Sequence, residues 1–249
     1  MGTTKAPDRR KFAVIFVLGA PGSGKGTICT HLSHKNGLLH FSVGDNLRTW
    51  MKDEGNRQTP LAATIQDKLD NQGFLTSTEL NPFLGIAIED AMRHDDLNGI
   101  FIDGFPRCEE QLASWAQWPF QERLPLEGHP KPDIVLLLNV TKENAESRYI
   151  ARGRDKNDSG EKFTKRFAEY LEEGPPVERH YRQAGLLVDI DSNGTKEENI
   201  AGVEKTLGDS ALWNRVRIQH SSPSSDYSSS SWYDANKKEP SLRRKCQEQ

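Results

Sequence analysis

The run Gly19-Ala20-Pro21-Gly22-Ser23-Gly24-Lys25-Gly26-Thr27 constrains what this chain can fold into more than any other segment. It follows an apolar stretch, Phe12 to Leu18, that reads as a buried strand, and it opens a segment from Gly24 to about Lys35 that reads as a helix. In a strand–loop–helix setting, glycines let successive backbone N–H groups turn toward an anion, and the helix N-terminus adds the positive end of its dipole. Lys25 is placed to reach the β and γ phosphates. Gly19, Pro21, Gly22, Ser23, Gly24, Lys25, Gly26 and Thr27 are therefore read as the wall of a nucleoside triphosphate site. In the simplest loop of this kind a Ser or Thr directly follows the lysine and holds a metal ion. Here Gly26 intervenes before Thr27, so Mg2+ accompanying the triphosphate is expected to be held mostly through water.

Further short apolar runs recur at Leu38 to Ser42, Ile100 to Asp103, Ile134 to Val140 and Leu186 to Ile190, separated by segments with helical spacing. Strands alternating with helices predict an α/β fold with a parallel sheet covered on both faces. The late helix carrying Phe163, Phe167, Tyr170 and Leu171 as an apolar stripe is expected to end at Gly174-Pro175-Pro176. Trp115 to Pro132, rich in Pro, Gln and Glu, reads as a surface loop. From Ser221 the character changes: eight of the eleven residues 221–231 are serine, and a charged segment with Arg243-Arg244-Lys245 follows, so 221–249 is expected to be a disordered tail after one domain, 1–220.

Bulk properties narrow the partners. A formal net charge of -3 and a pI near 6.2 argue against a general nucleic-acid or membrane surface, so any anion site has to be local. Phe12 to Leu18, the longest apolar run, is far below the roughly 20 residues that cross a bilayer. Cys29, Cys108 and Cys246, odd in number and widely spaced, suit reduced thiols in the cytoplasm better than a disulfide framework. The basic triplet of the tail leaves nuclear access open.

A phosphate loop alone does not separate a kinase from another nucleotide-binding protein. Phe101-Ile102-Asp103-Gly104-Phe105-Pro106-Arg107 adds a carboxylate at a strand end beside the expected loop, then a tight turn, then an arginine. Asp103 is placed to orient metal-bound water, and Arg107 to fork onto a phosphate. With Ile100 through Gln111 the chain meets in full the D-G-F-P-R-x-x-x-Q signature, and it resembles the adenylate kinase and UMP/CMP kinase family. The other motifs fall in family order: the phosphate loop, His40-Phe41-Ser42-Val43-Gly44-Asp45-Asn46-Leu47-Arg48, the signature, Arg152-Gly153 and Lys165-Arg166.

The resemblance implies a three-layer P-loop NTPase fold with five parallel strands and two small insertions. One insertion, about 42–77, would close on a nucleoside monophosphate, and a short lid, about 152–161, would close on ATP. It implies that Arg48 and Arg107 hold the acceptor's phosphate and that Lys25, Arg152, Arg154 and Arg166 surround the group in flight. Arg148 would stack on the adenine of ATP. Val43, Gly44, Gly73, Leu75, Thr76, Gly104, Phe105 and Gln111 would line the acceptor site. The expected activity is transfer of the γ-phosphoryl group of Mg·ATP to a nucleoside monophosphate, AMP slightly favoured and UMP or CMP open, by a monomer.

Three departures bear on that expectation. The nearest match to the lid's R-x-D-D-N is Arg154-Asp155-Lys156-Asn157-Asp158, Gly73-Phe74-Leu75-Thr76-Ser77 lacks the proline common in relatives, and Val43 stands where adenylate kinases commonly carry threonine. The altered lid and the serine-rich tail also fit a second reading, a non-catalytic ATP-binding regulatory module of the same fold. A GTPase is disfavoured because no N-K-x-D segment is present.

Overall fold

A computed structural model describes residues 12–71, 73–117, 132–153 and 159–220. The N-terminal residues 1–11, the lid residues 154–158 with Arg154, and the tail 221–249 lie outside the described residues, as does most of the expected loop between Trp115 and Pro132.

Five strands, β1 (Ala13–Gly19), β2 (Leu38–Ser42), β3 (Gly99–Asp103), β4 (Ile134–Asn139) and β5 (Leu187–Asp191), form one sheet in the order β2-β3-β1-β4-β5. All four pairings are parallel. The nine helices among the described residues are α1 (Lys25–Asn36), α2 (Val43–Lys52), α3 (Pro60–Asn71), α4 (Ser77–Arg93), α5 (Glu109–Gln117), α6 (Lys142–Arg152), α7 (Gly160–Gln183), α8 (Lys196–Asp209) and α9 (Ala211–His220).

The central strands are apolar at nearly every position because both faces are covered. Val14, Phe16, Ile100, Ile102, Val135 and Leu137 pack toward α4 residues such as Phe83, Leu84 and Ile88, and toward Val177 and Tyr181 of α7. Their neighbours Ala13, Ile15, Val17, Phe101, Leu136 and Leu138 pack toward Ile28 and Leu32 of α1 and toward Val203, Leu207, Trp213 and Val216 of α8 and α9. The result is the three-layer P-loop NTPase architecture. Chain order reverses around β1 and β3, so their carboxyl ends open the crevice where such sheets bind ligands.

Two expectations are corrected. The late helix does not stop at Gly174-Pro175-Pro176: α7 continues through both prolines to Gln183, and Leu171, expected in its apolar stripe, is 59% exposed. Packing outweighs the two lost N–H donors, because Val177 and Tyr181 beyond the prolines join the main core, and the Tyr170 hydroxyl spans them to Glu178 at 2.8 Å. Trp115 likewise belongs to helix α5 rather than to a loop; it is buried and meets Phe16 and Phe105 edge to face.

Candidate active site

The loop between β1 and α1 is shaped by backbone that other residues cannot adopt. Gly22 has φ +80, and a Cβ there would lie 2.0 Å from the Ala145 carbonyl oxygen, so the loop presses against α6 with no room for a side chain. Lys25 Nζ donates to the carbonyls of Gly19 at 2.7 Å and Ala20 at 3.0 Å, and to Ser23 Oγ at 3.3 Å. Burial lowers its pKa from 10.5 to about 8, with Asp103 opposing part of that shift.

Asp103 stands opposite Val17 in the β1–β3 register, level with the strand end that feeds the loop. Burial alone would raise its carboxyl. The hydrogen bond from His40 at 3.4 Å, together with the charges of Lys25, His40 and Arg107, outweighs burial and holds it below the usual carboxylate range. Potential ligand atoms of Cys29, His40 and Asp103 lie within 4.8 Å of one another. Burial pushes the Cys29 thiol well above its ordinary range, so it stays protonated, and the ionised Asp103 is the member suited to a hard cation.

Beyond Asp103 lies a pair of arginines. Gly104, at φ +86, follows the strand, and a Cβ on it would come within 2.6 Å of the Arg107 guanidinium. Its absence lets Arg107 fold back, donating from Nε to the Gly104 carbonyl at 2.8 Å with its guanidinium 5.7 Å from the centre of the Phe74 ring. Arg48, on α2, donates to Asp45 at 3.3 Å.

Cations from α6 and α7 form the opposite wall. Arg152 and Arg166 lie 5.0 Å and 6.0 Å from the centre of the Tyr149 ring. Arg166 also donates to the Tyr149 hydroxyl at 2.9 Å and to the Leu69 carbonyl of α3 at 3.0 Å, joining the two sides of the cleft. Arg148 donates along its edge to the carbonyls of Ser192 and Gly194 while still lining the cleft. Glu169 accepts from the Gly73 N–H; burial raises its carboxyl against that bond and the charges of Arg107 and Arg166.

These groups share one cleft of about 590 Å³, within the range of small-ligand sites. It gathers the whole expected phosphate loop with Asp103, Arg148, Arg152 and Arg166, and also Val43, Gly44, Arg48, Gly73, Leu75, Gly104, Arg107 and Gln111. Two expected residues do not line it. Phe105 is fully buried against Phe16 and Trp115, and Thr76 caps α4, accepting from the Glu79 N–H while the Glu79 side chain accepts from the Thr76 N–H. The cleft also holds Tyr149, Glu169, Leu69 and Phe74, which the sequence reading had not singled out. Helical spacing could have found two of them, since Tyr149 precedes Arg152 by three and Glu169 follows Arg166 by three.

A triphosphate loop at the carboxyl end of a parallel sheet, facing a second cluster of arginines across one cleft, defines a P-loop phosphotransferase. The family model described as adenylate kinase matches residues 17–186. An adenylate kinase of a Nitratiruptor species is 35% identical over 198 residues, covering 78% of this chain and 94% of the relative. UMP-CMP kinase 2 of Caenorhabditis elegans is 32% identical over 196 residues, covering 78% and 95%. UMP-CMP kinase 1 of Oryza sativa subsp. japonica is 31% identical over 193 residues, covering 77% and 72%. The chain belongs to the adenylate kinase family and is an enzyme of the ATP-dependent nucleoside monophosphate kinase class. No helix among the described residues is long and apolar enough to cross a membrane.

Proposed function

We propose that this protein transfers the γ-phosphoryl group of Mg·ATP to the phosphate of a nucleoside monophosphate, AMP slightly favoured and UMP or CMP open, giving two diphosphates. The observation that carries the reading is the single cleft with Lys25 and the phosphate loop at one end and Arg48 and Arg107 at the other. A triphosphate-hydrolysing switch needs only the first of these. The second provides cationic donors for an acceptor phosphate.

The chemistry follows from charge. An oxygen of the acceptor phosphate, already anionic, attacks the γ-phosphorus while the bond to the β-phosphate oxygen breaks, so no strong base is required. Arg48 and Arg107 hold the acceptor phosphate. Lys25, Arg152 and Arg166, with Arg154 from the lid, neutralise charge on the group in flight. The face of Arg148, whose edge is held by two backbone carbonyls, packs on the adenine of ATP. The ionised Asp103 suits Mg2+ held through water, and the ion when bound offsets charge on the β and γ phosphates. Segment 42–77 closes over the acceptor and 152–161 over ATP, expelling the water that would otherwise hydrolyse ATP. A monomer and a cytoplasmic location are the accompanying proposals.

Purified protein with Mg·ATP tests the reading. ADP should form quickly only when AMP, CMP, UMP or dCMP is added. Tight ATP binding with no transfer to any of them would favour the non-catalytic module instead.

A further inference from the structure

Tyr149 is 1% exposed yet belongs to the wall of the cleft. It stands one turn before Arg152, the last residue of α6, and its ring lies 5.5 Å from that of Phe163, a fully buried residue at the start of α7. The ring is thus clamped between the two helices that bracket residues 153–159, and close packing leaves it one orientation. The hydroxyl at its rim is fixed with it.

Both described arginines assigned above to the group in flight from α6 and α7 lie on that ring. The Arg152 guanidinium is 5.0 Å from its centre and that of Arg166 6.0 Å, and Arg166 donates to the Tyr149 hydroxyl at 2.9 Å. Arg152 is exposed and Arg166 half-buried, so each is a long side chain with many rotamers open to it in water. A buried aromatic face attracts a cation through its quadrupole, and a hydrogen bond to its hydroxyl sets the angle of the guanidinium fork. Such placement matters for a transferring phosphoryl group, because a misplacement of about 1 Å at the reacting centre costs roughly 100-fold in rate.

We infer that Tyr149 is a positioning residue for phosphoryl transfer, holding Arg152 and Arg166 at the transfer point through its ring and its hydroxyl. It acts through the two arginines and not on a nucleotide. The inference rests on the kinase reading proposed above. Because the acceptor phosphate is assigned to Arg48 and Arg107, loss of Tyr149 falls on kcat and spares the KM of the acceptor.

Steady-state kinetics on the full chain test this, with Mg·ATP and whichever of AMP, CMP and UMP the unaltered protein phosphorylates fastest. Tyr149→Phe keeps the ring and removes only the partner of Arg166, and it should lower kcat about tenfold, the worth of one hydrogen bond to a charged group. Tyr149→Leu, which also removes the aromatic face, should lower kcat roughly 100-fold, with the acceptor KM within about twofold of the unaltered value. In an Arg166→Met background the hydroxyl has lost its donor, so adding Tyr149→Phe should change kcat by less than about twofold, whereas a tyrosine that only props the fold would cost the same in both backgrounds. An unchanged kcat in the phenylalanine variant, a loss that persists in full beside Arg166→Met, or a raised acceptor KM with kcat intact overturns the inference. Should the leucine variant fail to fold, the phenylalanine cycle decides by itself. No transfer by the unaltered protein overturns the kinase reading and this inference with it; transfer by the unaltered protein with additive effects in the cycle overturns this inference alone.

Discussion

Lys25 concentrates the electrostatics of the site. Its ammonium is lowered to about 8 chiefly by burial, so the folded protein holds this proton less tightly than the unfolded chain. Below pH ~8 the charged lysine is a full burden on the fold, and the burden lifts as pH rises from about 8 toward 10.5. Triphosphate binding has the opposite preference, because phosphate charge favours the ammonium. Binding of ATP near pH 8 should take up protons, and affinity should fall as pH rises further. Calorimetry in two buffers of different ionisation heat reads the uptake directly, and Lys25→Arg should abolish it, since arginine stays charged. Lys25, Asp103 and Arg107 were legible in the sequence because each lies in a motif whose spacing has one structural use. Tyr149 and Glu169 were not: they sit on helices, where a lone aromatic or acid has many ordinary roles until the neighbouring arginines are placed in space.

Among the elements, α7 shows where local rules are overridden. Pro175 and Pro176 remove the donors that would serve the Leu171 and Glu172 carbonyls, yet the helix runs on because Val177 and Tyr181 are buried against the sheet. Gly174 contributes by its lack of a side chain, since the Tyr170 ring lies about 3.1 Å from where its Cβ would be. Pro175→Ala should restore one intrahelical hydrogen bond and raise the thermal midpoint by a few degrees, as expected for ~1 kcal/mol in a chain of this size. A lower midpoint would mean that proline itself fits the bend better than the regular helix does. The stop expected at Gly174 was reasonable on local grounds, because a sequence window cannot show which residues farther on find a core. The strands were read within a residue or two, and most plainly β1, β3 and β4, whose burial at nearly every position leaves apolar runs.

At the scale of the whole molecule, the sheet order brings the ends of β1 and β3 side by side and places α2 to α4 across the cleft from α6 and α7. That arrangement sets the glycine-rich loop with Lys25 and the Arg48–Arg107 pair in one cleft. The order of motifs along the sequence marks both groups, but not that Arg166 reaches Leu69 or that Gln111 is tied to Leu75. The Arg166–Leu69 and Gln111–Leu75 contacts join residues 97 and 36 positions apart, and no local pattern encodes them. Direct transfer between two bound nucleotides is tested by following label. With ATP labelled in the γ-phosphate and AMP or CMP as acceptor, the label should appear in the terminal phosphate of the new diphosphate at a rate equal to ATP loss. Label released instead as inorganic phosphate, at a rate unchanged by the acceptor, would exclude direct transfer.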